Sequence, residues 1–116
     1  MKAQEFVDAI QKVVLDATGA GIVSILLRPP GRRPAAEIME LSRWFNGLSR
    51  QDKSMIERLL RVAVRHSIFG LFEVLDGSLK VDPSATADDY FELRHVHRGG
   101  TDILSGPKGA ALHELL

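Results

Sequence analysis

The sequence predicts an α+β domain, mostly helical, with three main helices around a long central one and a C-terminal β-hairpin. Three observations predict it. Apolar residues recur at helical spacing through Ser49 to Gly77, the longest continuous element. A second helical stripe runs from Ala3 to Ala17. After Gly77 the pattern changes, and Tyr90 to Arg98 alternates with a strand's period of two, ahead of a hairpin signal at Gly99-Gly100.

The long element opens with Ser49 as a helix cap and Asp52 in the third position of a capping box. Met55, Ile56, Leu59, Leu60, Val62 and Ala63 make its apolar stripe, with Ser54, Arg58, Arg61 and Arg65 opposite. Glu57 precedes Arg61 by four residues, a pairing worth about 0.2–0.5 kcal/mol. Ile68, Phe69, Leu71, Phe72, Val74 and Leu75 then point in all directions, so this half is expected to be buried all round. Gly70 costs about 1 kcal/mol against Ala and marks either a close helix approach or a kink. Asp76-Gly77 is the stop, with Gly77 suited to the left-handed position after a helix.

The remaining elements follow in order. Ala3, Phe6, Val7, Ile10, Val13, Val14 and Ala17 form an amphipathic helix that is expected to cover this domain's core. Gly19 and Gly21 interrupt it, and Ile22 to Leu27 reads as a short strand or as a kinked continuation. Arg28-Pro-Pro-Gly-Arg-Arg-Pro34 is a stiff, basic connector. Ile38, Leu41, Phe45 and Leu48 face one way on the next helix, which Asn46-Gly47 turns back to pack antiparallel with the long one. Leu79 and Val81 read as a short extended piece. Asp82 to Asp89 is an acidic loop, Thr101 to Leu104 the returning strand, and Ala110 to Leu116 a closing helix that docks Leu112, Leu115 and Leu116.

Composition bounds the function. One hundred and sixteen residues, 45% of them apolar, fit one domain spanning 1–116. The absence of cysteine excludes a disulfide framework, a thiol nucleophile and thiolate zinc sites, in keeping with a reducing cytoplasm. Fifteen basic and fifteen acidic side chains cancel, so no nucleic acid is expected as a partner. The run from Ala20 to Leu27 is too short to span a bilayer, so no membrane is expected either.

Candidate functional residues fall in two groups. Arg28, Arg32 and Arg33 of the loop, with Arg58, Arg61 and Arg65 of the long helix, make a basic surface for an acidic protein partner or an ordinary solvated face. Trp44, the one tryptophan, closes the core's edge or anchors a partner. His95 and His97 stand two apart on one strand face, where both imidazoles can reach a shared metal, with Asp102 and His113 as possible companions. His66 reads as a hydrogen-bonded core histidine. No nucleophile elbow, phosphate loop or fixed carboxylate pair is present, so no catalytic residue and no cofactor is assigned.

Pro29-Pro-Gly-Arg-Arg-Pro34, Leu41-Ser-Arg-Trp-Phe-Asn46, Leu48-Ser49, Asp52-Lys53, Phe69-Gly70, Val74-Leu-Asp-Gly77 and Leu112-His-Glu-Leu115, in this order, resemble a group of small uncharacterised bacterial proteins, a domain of unknown function. The resemblance implies a bacterial, cytoplasmic, compact domain and carries no catalytic residue. Immunity proteins of bacteria share this size by analogy. The expectation is a non-enzymatic interaction or regulatory protein with an unidentified partner or a homodimer. The alternative is a metal or small-ligand binder using His95 and His97.

Overall fold

The computed structural model describes residues 1–116, and its architecture is α+β. A continuous helix runs from Ala3 to Leu27. It consists of α1 (Ala3–Ile10), a π-helical segment (Gln11–Asp16) and α2 (Ala17–Leu27). Then come α3 (Ala36–Asn46), α4 (Arg50–Leu75), the strands β1 (Leu93–His97) and β2 (Gly100–Ser105), and α5 (Leu112–Leu115).

The first helix settles the alternatives at Ile22–Leu27 in favour of helix and corrects the expected interruption at Gly19 and Gly21. Two glycines together cost about 2 kcal/mol against alanine, but neither is followed by a residue that stops a helix. The π segment lies earlier, and its wider turns shift the buried positions along the helix to Val7, Leu15 and Leu26. The run Ala20–Leu27 is too short to span a bilayer alone. The 25-residue helix containing it is long and apolar enough to do so, by length and composition.

The link between α2 and α3 is polar at its centre. Ser42 Oγ and Asn46 Nδ2 both donate to the Leu26 carbonyl, at 2.6 and 3.0 Å. That carbonyl belongs to the last turn of α2, which lacks partners of its own. Phe45 is fully buried beside this clamp, with Lys53 Nζ 5.9 Å from its ring centre. The expected antiparallel packing of α3 along α4 is therefore not found, because α3 packs on α2 instead.

Ser49 Oγ accepts from the Asp52 amide at 3.1 Å and starts α4 as expected. At the other end the Ser78 amide donates to the Glu73 carbonyl and the Gly77 amide to that of Val74. Gly77 has φ of 80°. This is a Schellman ending, which selects glycine. Val7, Leu15, Ile68, Phe72 and Leu112 form the main core, where α4, the first helix and α5 meet. The hairpin lies against α1 through β2, whose Leu104 and Ser105 are buried. Its two-residue loop is Arg98-Gly99, and Gly100 opens β2 opposite His97. Leu79 and Val81 form no strand and are exposed.

Asp76, read from the sequence only as part of a stop signal, fastens the C-terminal third. Its Oδ1 accepts from Ser105 Oγ at 2.6 Å. Its Oδ2 accepts from the His113 amide at 2.9 Å and from His113 Nδ1 at 2.7 Å. The side chain is 3% exposed. Burial pushes its pKa up, but the hydrogen bonds from Ser105 and from the His113 and Leu112 amides, then the His113 ring, outweigh burial and hold it below the usual carboxylate range. Ordering the anion is unfavourable at a helix C-terminus, and these donors supply the compensation.

Only ten of the 116 residues are buried, which leaves the core small for the chain. The accessible surface is 8629 Å², whereas a folded monomer of this mass exposes about 6300 Å². The radius of gyration is 18.4 Å, against about 13 Å for a compact chain of this length. The second half of α4 is not buried all round as expected, because Leu71 is exposed and Phe69 partly so.

Two expectations follow. Asp76→Asn leaves a buried amide facing the His113 donors and should cost about 2–3 kcal/mol in urea denaturation at pH 7. Because the native pKa of Asp76 lies below its unfolded value, its contribution is present above about pH 4 and lost as the pH falls further. The variant should lose less stability than the parent between pH 5 and pH 3, and equal losses would contradict the assignment. Gly70 has nothing within 4 Å of where a Cβ would stand, so neither close approach nor packing requires it. Gly70→Ala should raise stability by up to about 1 kcal/mol, and a lowered melting temperature would contradict this.

Candidate functional site

The helical wheel of α4 carries two apolar stripes. Ile56, Leu60, Val64, Ile68 and Phe72 are buried or half-buried and face the chain's own helices. Met55, Leu59, Val62, His66 and Phe69 recur at intervals of four, three, four and three residues and are exposed. At about 100° per residue the second stripe is centred opposite the first. Leu59 is 61% exposed and Val62 54%. The expected core histidine is thereby corrected: His66 sits in the outward stripe, because four residues per step along the inner face pass it by.

Trp44 does not close the core edge. It is 53% exposed at the outer side of α3, with exposed Leu41 three residues before it. Phe45 takes the buried position instead. Arg28, Arg32 and Arg33 are exposed on the connector, and their side chains make no hydrogen bond or ion pair. On α4, Arg58 lies 3.5 Å from Met55 Sδ, and Arg65 Nη2 donates to the Leu116 carbonyl at 3.1 Å. Arg61 borders a small cleft with Glu57, Leu15 and Val23. No polar contact joins the loop arginines to those of α4.

The hairpin brings a different set together. His95 stands directly across from Asp102 in the strand register, and His97 is the next same-face residue of β1. His97 Nε2 is 3.0 Å from Asp102 Oδ2 and His95 Nδ1 is 4.0 Å from the same oxygen. The imidazole centres are 5.0 Å apart. The Gly99 amide donates to His97 Nδ1 at 3.1 Å, so in the neutral ring the proton sits on Nε2 and points at Asp102. The Met1 amine donates to Asp102 Oδ2 at 2.6 Å. That hydrogen bond is the main cause that holds the Asp102 pKa below the usual range, with the His97 contact adding to it. His113 takes no part, being held 2.7 Å from Asp76 and edge-on to Phe69.

A third feature was not read from the sequence. A cleft of about 610 Å³ opens beside the end of α4, lined by Val74, Leu79, Val81, Tyr90 and Phe91. Its charged neighbours are spent on the loop itself: Lys80 bonds to the Ala85 carbonyl, Asp82 to Ser84 and Asp89 to Thr86. It therefore offers apolar surface and no convergent catalytic groups. Ser105, Asp76 and His113 resemble a hydrolytic triad in composition only, because Asp76 stands between the other two and the serine has no contact with the imidazole.

Set against family models, characterised proteins and solved structures, the chain matches none. The site's meaning therefore rests on its geometry.

The unpaired state of the loop arginines carries an expectation. Replacing Arg28, Arg32 and Arg33 together by Ala should leave the melting temperature unchanged within about 0.5 kcal/mol, as for surface positions without partners. A larger loss would show that they hold the connector in place.

Proposed function

We propose that the chain is a non-enzymatic interaction module that works as a homodimer through the outward stripe of α4. One observation carries the reading. The chain exposes about 2300 Å² more than a compact monomer of its mass, and a continuous part of that surface is apolar helix. If each copy covered that excess, the dimer would bury about 4600 Å², within the range of obligate homodimers.

The spacing supports a second copy as the occupant. Steps of four and three residues over Met55 to Phe69 keep one seam in register against another helix. A two-fold pairing needs a patch that complements itself, and an apolar stripe meets its own kind without charge conflict. Arg58 and Arg65 lie to one side of the seam by helical position, where they remain hydrated at its rim. Exposed Leu41 and Trp44 of α3 are a separate apolar surface, and Trp44 is the residue type that most often anchors an interface.

The functional class follows from what the chemistry lacks and the surface has. No nucleophile is paired with a base, and the charged side chains lining the 610 Å³ cleft are bonded within its own loop. The surface suits assembly or regulation.

Sedimentation equilibrium of the full chain tests the reading. A dimer is expected at micromolar concentration. Leu59→Glu with Val62→Glu should convert it to a folded monomer with unchanged helical circular dichroism. Leu41→Glu is the control and should leave the dimer intact. A monomeric parent overturns the proposal. So does recovery of the parent with membranes, which would give the exposed side of Ala3–Leu27 to lipid instead.

A further inference from the structure

The geometry points to a divalent transition-metal site on the hairpin, with His95 Nδ1, His97 Nε2 and the Asp102 carboxylate as its three protein ligands. The three donor atoms lie within 4.8 Å of one another. The site rests on residues separate from the proposed dimer seam and stands or falls independently of it.

The register explains why these three meet. A strand places residues two apart on one face, and an antiparallel ladder puts cross-strand partners directly opposite. His95 pairs with Asp102, and the short Arg98-Gly99 loop fixes that register. The sequence spacing His-x-His therefore acquires its third donor from the returning strand. Leu93 and His95 face inward, so the site has one apolar wall and one open side.

One observation beyond the clustering points to a cation. His95 Nδ1 is shielded from solvent and has no hydrogen-bond partner. A buried imidazole nitrogen left unpaired carries a desolvation cost that a metal bond would remove. Asp102 Oδ2 is the oxygen that both imidazoles approach, His97 Nε2 at 3.0 Å and His95 Nδ1 at 4.0 Å, and a metal bound there would displace the Met1 amine now 2.6 Å away.

The distances suit coordination after small movements. Donors bound to a tetrahedral ion at about 2.0–2.1 Å stand about 3.3–3.4 Å from one another. His97 and Asp102 are already nearer than that, while His95 Nδ1 must approach the carboxylate oxygen by somewhat under 1 Å. All three side chains are partly exposed and can move by that amount.

Binding also rearranges one proton. In the metal-free neutral ring, the Gly99 amide requires His97 Nδ1 to be an acceptor. A metal on Nε2 transfers the ring proton to Nδ1, and the Gly99 amide must then turn to solvent. Gly99 sits in the hairpin loop, where such a turn is small. The amide of Gly99 is thus a reporter that no loosely bound surface ion would move.

The donor set selects the class of metal. Two imidazoles and one carboxylate, without thiolate, suit zinc, cobalt, nickel, copper or ferrous iron, and disfavour calcium and magnesium. Three protein ligands leave at least one position for water or an incoming donor, the arrangement of an open site.

Zinc is the probe. Titration of the tag-free full chain by calorimetry at pH 7.5 should give one equivalent with micromolar affinity, and calcium should give none. In nitrogen-15 spectra zinc should move the ring nitrogens of His95 and His97 and the Gly99 amide, and leave the His66 and His113 rings unmoved. His95→Ala and Asp102→Asn should each weaken binding by at least about tenfold, since even a group outside the ligand set costs that much. His66→Ala should bind as the parent does. Lowering the pH to 5.5 should weaken binding, because protons compete for both imidazoles. Absence of heat, binding unchanged in the His95→Ala chain, or zinc shifts at His66 or His113 in place of the hairpin would each overturn the site. Should Asp102→Asn fail to fold, the His95→Ala and His97→Gln variants decide the matter, since both replace partly exposed side chains.

Discussion

The buried carboxylate of Asp76 is the constraint on which the C-terminal third depends. An anion at the end of a helix opposes the helix dipole, and one with a side chain 3% exposed also loses hydration. It persists because three donors from two separate segments reach it. The hydroxyl of Ser105 brings the end of β2, the His113 amide brings the start of α5, and the His113 ring closes over the remaining lone pair. The close approach continues at Gly109, where a Cβ would meet the Ser105 backbone at 2.8 Å. Leu112 and Phe72 then fill the core beneath. The polar hub and the apolar cluster therefore reinforce one another, and the hub fixes which residues of α5 can reach the core.

Much of this fold was legible in the residues. The Ser49 cap, the Gly77 ending, the hairpin and the docking of Leu112 all follow from local chemistry that tertiary contacts did not override. Other parts were not. The interruption expected at Gly19 and Gly21 failed because a helix continues through glycine when no competing structure is offered. The register of α3 on α2 depends on a clamp between Ser42, Asn46 and the Leu26 carbonyl, and a carbonyl that needs partners has no signature in sequence. Asp76 did have a signal: a carboxylate at a helix C-terminus is the wrong sign for that position, and it invites a search for donors. At the hairpin, the sequence gives the pair His95 and His97. That Asp102 rather than His113 lies beside them depends on register and on the competing claim of Asp76.

Surface and site belong to different parts of the molecule and to different physics. The outward stripe of α4 is defined by what it lacks, a covering layer over Leu59 and Val62. Periodicity alone placed Met55 and Ile56 in one stripe, and only the positions of the neighbouring helices separate an inner face from an outer one. The hairpin cluster is defined by convergence, with two imidazoles and an amine directed to a single carboxylate. The first reading concerns how copies of the chain meet, and the second what the chain holds. Neither reading invokes the basic connector, whose three arginine side chains make no polar contact within the chain.

The connections made at Asp76 also bear on the order in which the chain acquires structure. Its bonds join residues 29 and 37 apart in sequence, whereas each helix closes on contacts three or four residues away. Long closures carry the larger entropic cost and are completed late. The helices up to Leu75 are accordingly expected to form first, with the hairpin and α5 locking afterwards onto an existing surface. In reverse, the segment after Gly77 becomes the first cooperative unit to open. Hydrogen exchange in which the β1 and β2 amides outlast those of α4 would contradict that order. On this account the C-terminal third behaves as a latch, and its opening adds the part of the α4 inner face that α5 covers to an outer face already exposed.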